Sequence, residues 1–508
     1  MTVVKTTNFN LNHCYSQPLL LSTMSSPTGL FSLSALESYA RHNCAVDDTS
    51  VISVFNPATN ELLGTLPVVS PNNIAHLHTQ TEAAFKEWSQ TTLFERSRQL
   101  HVLANLIESN REPLATIISL ENGKPFVESC GEVTYSAGFF RWFANGIVRL
   151  QGTLPASSPG LKVEVHYRPV GVCAAITPWN FPLAMLAKKC AAALAAGCGI
   201  LCKPADETPF SAVALMKLID LSGFPKGIVQ VLLGDAQTIG QYFCTAPKIR
   251  KLSFTGSTEV GRLLMTQSAQ NIQKVSLELG GNAPFVVLES ANLEAVCTGM
   301  LRSKFRNGGQ ACISANRFII VRSRYDEVLE MLTKAASHLT VGPAFTDRGP
   351  TEVDIGPLIS LKSIEKLLRL LNDALQKGAT VHHGSLPDRG SRFVNPIIIT
   401  NITSEMDLWW EELFGPVIAC AIAKDTSEAI QLANDSRHGL GAYVFTQNPT
   451  EIETLPAQIE CGMVGVNTGT ISMPHTPFGG VKHSGLGREG GVEGLFEYLT
   501  TQTIVRQF

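Results

Sequence analysis

The sequence predicts an α/β protein built from two doubly wound α/β domains and a small β element. Three observations lead there. Apolar residues make up 44% of the chain and charged residues 16%, a composition that can bury large cores. A length of 508 residues exceeds what one hydrophobic core supports, so at least two domains are expected. From Gly171 onward, short apolar strands alternate with helices of 3.6-residue period, the pattern of a parallel sheet covered on both faces.

Residues 1–44 read as a disordered extension. Residues 1–36 hold one Lys, no Asp, Glu or Arg, and many Ser and Thr. A mitochondrial transit segment is Arg-rich, so an organelle address is the weaker alternative. The cytoplasm is the expected compartment and the mitochondrion the second. The first domain is expected over residues 45–150 and 171–279. Residues 51–55 and 61–67 alternate as strands around an Asn-Pro turn. Helices follow from residue 71 through Trp88, over 93–110 and over 113–123. Strands at 172–177, 199–203, 228–233 and 249–255 then enclose helices at 181–197 and 208–223.

The second domain is expected over 280–491. Its strands are predicted at 283–288, 317–321, 396–400 and 417–423, with helices at 326–339 and 361–378. Residues 151–170 and 492–508 are rich in β-formers. They are expected to protrude as a hairpin and an edge strand through which subunits pair, giving a homodimer or homotetramer.

A net charge of −3 supplies no field for a phosphate backbone, so no nucleic-acid partner is expected. The longest small-apolar run, residues 190–202, is too short for a bilayer that needs roughly 20 residues, and no membrane partner is expected. The 12 cysteines form no CxxC pair and the 12 histidines have no metal spacing with them, so no metal is expected.

Five places in the sequence can carry chemistry. Cys312 follows Arg306-Asn-Gly-Gly-Gln-Ala, and the glycines let backbone amides crowd a thiolate, which favours a nucleophile. Most of the other cysteines read as buried and inert. Glu278 lies among apolar residues before a double glycine. Burial raises the pKa of such a carboxylate toward that of a general base; a salt-bridged Glu at a helix end is the plain alternative. Asn180, in Thr177-Pro178-Trp179-Asn180-Phe-Pro, offers a rigid amide donor for an oxyanion, or else an ordinary helix cap. Lys203 and Asp206 follow a strand end, where doubly wound sheets bind ligands, and suit ribose hydroxyls. Gly256, Ser257 and Gly261 join a strand to a helix start whose amides can receive a pyrophosphate. This turn is neither a P-loop nor a GxGxxG fingerprint.

Taken together, TPWNFP, KPADETP, FTGSTEVG, LELGGN, FRNGGQACISANR, EELFGPV and PFGGVKHSGLGRE resemble the aldehyde dehydrogenase superfamily, in the family's order and over about nine tenths of the chain. The resemblance implies a Rossmann-like NAD-binding domain beside a catalytic one. It implies Cys312 as nucleophile, Asn180 as oxyanion donor and Glu278 as the base that hydrolyses a thioester. It places Thr177, Pro178, Trp179, Lys203, Asp206, Gly256, Ser257, Gly261, Glu412 and Phe414 on the cofactor. Asp206 would repel a 2′-phosphate, so NAD is the expected acceptor and NADP the second candidate. Lys188, eight residues after Asn180, Arg306, six before Cys312, and Ser472, six before Phe478, are similar to the pocket of succinate-semialdehyde dehydrogenases. There two arginines and a serine hold the far carboxylate. Lys188 replaces one arginine, keeping the charge and losing the bidentate fork. A cation reaching solvent is its plain alternative. Glutarate semialdehyde and aromatic or aliphatic aldehydes are the competing substrates.

Overall fold

The computed structural model describes residues 29–44, 46–150, 153–154 and 160–508. Two open sheets organise it. The first has six strands in the order Gly485–Leu486, Lys274–Glu278, Ile249–Thr255, Val172–Ile176, Gly199–Lys203 and Val229–Val231. All pairs are parallel except that of the short outermost strand with Lys274–Glu278. The second has seven strands in the order Thr380–His383, Ile397–Thr400, Val417–Ala423, Ala315–Val321, Ala283–Val287, Gly441–Phe445 and Met463–Val466. Only Thr380–His383 runs antiparallel there. The strands Gly199–Lys203, Ala283–Val287 and Ala315–Val321 are buried at every position, which is why their sequences are mostly apolar, the buried Lys203, Asn316 and Arg317 being the exceptions.

Helix Pro182–Ala196 is buried along its whole length, and its Ala-rich sequence lets it pack closely. Gly197 ends it at φ +90°, and a side chain there would meet the Arg96 guanidinium at 2.5 Å. Helix Phe126–Ile147, 22 residues long, packs against it. Its three Gly and its Ser and Thr residues hide this helix from a propensity reading, so it is unassigned from the sequence.

Within the expected disordered extension, the structure departs from the sequence reading. Helix Leu33–Asn43 is capped by Ser32 and buries Leu36 and Ala40, with Phe31 and Cys44 also in the core. Its apolar positions fall on one face, so it docks where an acid-poor composition suggests no structure. Residues 1–28 lie outside the described residues.

Strand Leu499–Gln507 pairs antiparallel with Leu161–Pro169 over nine residue pairs, and Thr153–Leu154 adds a third strand. The strand is mostly exposed along its length. No described helix is long and apolar enough to cross a membrane, and no group of three or more potential metal ligands occurs among the described residues.

Candidate active site

Glu278 ends strand Lys274–Glu278, pairing with Thr255 on one side and Gly485 on the other, so the helix-end alternative is excluded. It is 2% exposed, and neither carboxylate oxygen has a hydrogen-bond partner among the described residues. Burial, reinforced by Glu489, raises its pKa well above the usual carboxylate range, against the pull of Lys188, Lys189 and Arg488. A carboxylate in this state is a base that works near neutrality.

Cys312 follows the turn Arg306–Gly309, in which Asn307, Gly308 and Gly309 take φ of 51°, 61° and 78°. A Cβ on Gly309 would lie 2.3 Å from the Gly415 carbonyl oxygen, so only glycine lets the cysteine loop meet the 411–417 segment. Gln310 ties the loop down by accepting from the Ile359 N–H at 3.0 Å. Burial pushes the Cys312 thiol up to about 12, with Glu412 adding to the rise. The resting thiol is therefore protonated and needs a base before it can attack.

Asn180 occupies the turn between strand Val172–Ile176 and helix Pro182–Ala196. Its Nδ2 donates to the Gln310 carbonyl at 3.0 Å, and its Oδ1 accepts from the Phe181 N–H at 3.1 Å. Lys124 Nζ and Asn307 Nδ2 donate to the Asn180 carbonyl at 2.6 and 2.8 Å, fixing the turn from two sides. Lys124 is paired with Glu132 at 2.6 Å, and the other Glu132 oxygen accepts from Leu183 and Ala184, the first free amides of the helix.

A cleft of about 250 Å³ brings Pro178, Trp179, Asn180, Gly256, Ser257, Glu278, Cys312, Glu412 and Phe414 together. It also takes Thr255, Met185, Ser363 and Lys366, which sequence reasoning missed. Ser363 and Lys366 come from helix Leu361–Gln376 of the other domain, and no local motif marks them. Lys203, Asp206 and Gly261 lie outside the cleft. Lys203 and Asp206 pair at 2.6 Å, with Asp206 half exposed.

The residues fit a dinucleotide. Thr177 and Thr255 Oγ1 are buried at strand ends without partners among the described residues. Gly256 and Ser257 open helix Thr258–Ser268, with Ser257 as its cap. The Trp179 and Phe414 rings meet edge to face at 5.6 Å, and Phe414 holds the left-handed φ of 54°. Glu412 Oε1 accepts from the Gly281 N–H at 3.3 Å, and burial lifts its pKa to about 7.

On the opposite side of Asn180, the Arg306 guanidinium lies 4.5 Å from the Phe181 ring centroid and 6.0 Å from that of Tyr135. Tyr135 shares a 2.6 Å hydrogen bond with Ser472. Arg306 makes no hydrogen bond or ion pair among the described residues. Tyr135 belongs to the helix that the sequence left unassigned. Lys188 is fully buried, with its ammonium 2.7 Å from Glu489 Oε2 and 3.9 Å from the Phe478 ring centroid. It does not reach solvent.

A dinucleotide cradle at the ends of a parallel sheet, closing on a buried cysteine and carboxylate, is the architecture of an NAD(P)-dependent oxidoreductase. The chain matches the aldehyde dehydrogenase family over residues 45–504. It is 44% identical over 452 residues to an aspartate-semialdehyde dehydrogenase (non-phosphorylating) of Halomonas elongata, covering 89% of this chain and 91% of that one. It is 43% identical over 450 residues to a succinate-semialdehyde dehydrogenase [NADP(+)] of Escherichia coli, covering 88% and 92%. The crystal structure of a succinate-semialdehyde dehydrogenase from Burkholderia pseudomallei superposes with a TM-score of 0.88 at 42% identity, covering 91% of this chain and 96% of that one. The chain belongs to the aldehyde dehydrogenase family and acts as an NAD(P)-dependent aldehyde oxidoreductase.

Proposed function

We propose that the protein oxidises succinate semialdehyde to succinate with NAD as acceptor, glutarate semialdehyde being the alternative substrate. The observation that carries this reading is Arg306. The guanidinium lies against the Phe181 ring, makes no hydrogen bond or ion pair among the described residues and feels the Glu128 carboxylate at longer range, so it can take a substrate carboxylate, and the Tyr135–Ser472 hydroxyl pair offers donors beside it. The relatives above carry the names of semialdehyde dehydrogenases, whose substrates bear such a carboxylate.

In this mechanism Glu278, with both oxygens unpartnered, takes the thiol proton. Cys312 Sγ then bonds to the aldehyde carbon. The carbonyl oxygen becomes an oxyanion held by Asn180 Nδ2 and the Cys312 N–H. Bound NAD supplies the acceptor for the hydride that leaves this carbon, and the carbon remains as a thioester on Cys312. Glu278 releases this first proton to solvent, then takes a proton from water as the water oxygen bonds to the thioester carbon, and returns it to the sulfur as the C–S bond breaks and the acid leaves. Aldehyde, NAD⁺ and water become acid, NADH and a proton. Glu412 and Phe414 hold the nicotinamide end, and Asp206 faces the adenosine ribose, where a 2′-phosphate would meet its charge. The exposed strand Leu499–Gln507 is the edge we assign to subunit pairing.

The test compares succinate semialdehyde, glutarate semialdehyde, butanal and benzaldehyde, each with NAD and with NADP. A kcat/KM for the carboxylated aldehydes at least tenfold above butanal is expected, with NAD preferred. Equal rates with butanal overturn the substrate assignment.

A further inference from the structure

Around Glu489 the structure builds a buried charge cluster that the resemblance does not explain. Lys188 and Lys189, adjacent on helix Pro182–Ala196, grip one carboxylate from two sides. Lys188 Nζ lies 2.7 Å from Oε2, Lys189 pairs with Oε1, and Ser253 Oγ donates to Oε1 at 3.2 Å. Both lysine side chains are fully buried. Burial opposes ionisation of Glu489, yet the two ammonium groups hold it down to about 2. Burial likewise opposes the charge on Lys188, and Glu489 overrides it so that the ammonium stays above its ordinary range.

The backbone links this cluster to the base. Glu489 and Phe478 exchange both backbone hydrogen bonds, at 2.7 and 2.8 Å, and the Phe478 ring covers the Lys188 ammonium. The next residue, Gly479, lies so close to Glu278 that a Cβ on it would fall 2.9 Å from Oε1. Two ammonium groups and one carboxylate thus stand behind the Phe478–Gly479 segment, facing a base that has no other partner. A substrate carboxylate at Lys188 would have to displace a buried ion pair and meet Glu489's like charge. Arg306 imposes neither cost.

We propose that Lys188 is a positioning residue for the base Glu278, acting through Glu489, and does not anchor the substrate carboxylate. This rests on the proposed roles of Glu278 and Arg306. With one ammonium lost, Glu489 is held less firmly, and the segment that confines Glu278 loosens.

The test is a double-mutant cycle on the full-length enzyme, with Lys188→Met, Glu489→Gln and the pair, read with succinate semialdehyde and butanal. Lys188→Met is expected to lower kcat about tenfold or more with both substrates. KM for succinate semialdehyde should change less than about threefold, and a burst of NADH should precede slow turnover as the thioester accumulates. The double variant should be no slower than the slower single one, because the two residues act as a unit. A tenfold rise in KM for succinate semialdehyde alone, additive losses of kcat, or an unchanged kcat each overturns the proposal. If Lys188→Met does not fold, Lys188→Gln carries the same comparison. Wild-type enzyme that shows no preference for the carboxylated aldehyde refutes the Arg306 assignment instead. The cycle is then read on butanal, where the kcat loss and non-additivity are still required.

Discussion

The hydroxyls of Tyr135 and Ser472 meet at 2.6 Å although 337 residues separate them in the chain. The Tyr135 ring lies 6.0 Å from the Arg306 guanidinium, which makes no hydrogen bond or ion pair among the described residues. Arg306→Met should raise KM for succinate semialdehyde roughly 10- to 100-fold, the equivalent of losing one charge-assisted hydrogen-bonded contact. The kinetics of butanal should barely change. Steady-state assays with both aldehydes check this, and an equal loss for both would remove Arg306 from substrate recognition.

Glu278→Gln should slow both the deprotonation of Cys312 and the hydrolysis of the thioester, so rapid mixing would show a slow phase of no more than one NADH per active site and steady-state turnover should fall by about 100-fold or more. In the wild type, the raised pKa means that kcat rises with pH above the usual carboxylate range, because only the ionised base works. Stability follows the same linkage. The folded-state pKa lies above the unfolded value of about 4.3. The native state therefore holds the proton more tightly, and the stability this confers is complete at low pH and lost as pH rises through the raised pKa. The Tm of Glu278→Gln relative to wild type should climb as pH rises above the unfolded-state value of about 4.3 and through the raised folded-state pKa. A flat difference would mean that the carboxylate is not strained by burial.

Asp206→Ser should shift cofactor choice. Removing the carboxylate also frees Lys203, its 2.6 Å partner, to meet a 2′-phosphate. The ratio of kcat/KM for NADP over NAD should rise by about tenfold or more, since one charge contact is worth a kcal/mol or two. If the ratio does not move, the ribose is read elsewhere.

Leu36→Ala tests the docking of helix Leu33–Asn43. The side chain is fully buried, so its truncation should cost about 2–5 kcal/mol. Chemical denaturation of the variant measures this. A loss under about 0.5 kcal/mol, the size expected for an exposed position, would mean that the helix does not hold to the core.

Much of the fold was legible because buried parallel strands leave a plain signal. The runs at Val172–Ile176, Ala283–Val287 and Val417–Ala423 carry no polar residue that could confuse the period. Helix Phe126–Ile147 was not legible, since its burial comes from tertiary packing and not from propensity. Tyr135 was lost with it. Cys312, Glu278 and Asn180, which line one cleft, stood out as motifs with a chemical reason. Ser363 and Lys366 were not, because only the meeting of two domains gives them a place at the cleft. Lys188 shows a third kind of gap: the sequence revealed its charge but not that Glu489 already holds it.

Pairing of Gly485–Leu486 with the strand that ends in Glu278 has a consequence for biosynthesis. The outer neighbour of that strand leaves the ribosome roughly two hundred residues after it, a delay of about 10–40 s at about 5–20 residues per second. During that interval the nascent chain holds an unfinished sheet edge beside a carboxylate that has nowhere settled to go. The surroundings of Glu278 are therefore completed only when the last part of the chain has folded onto this edge.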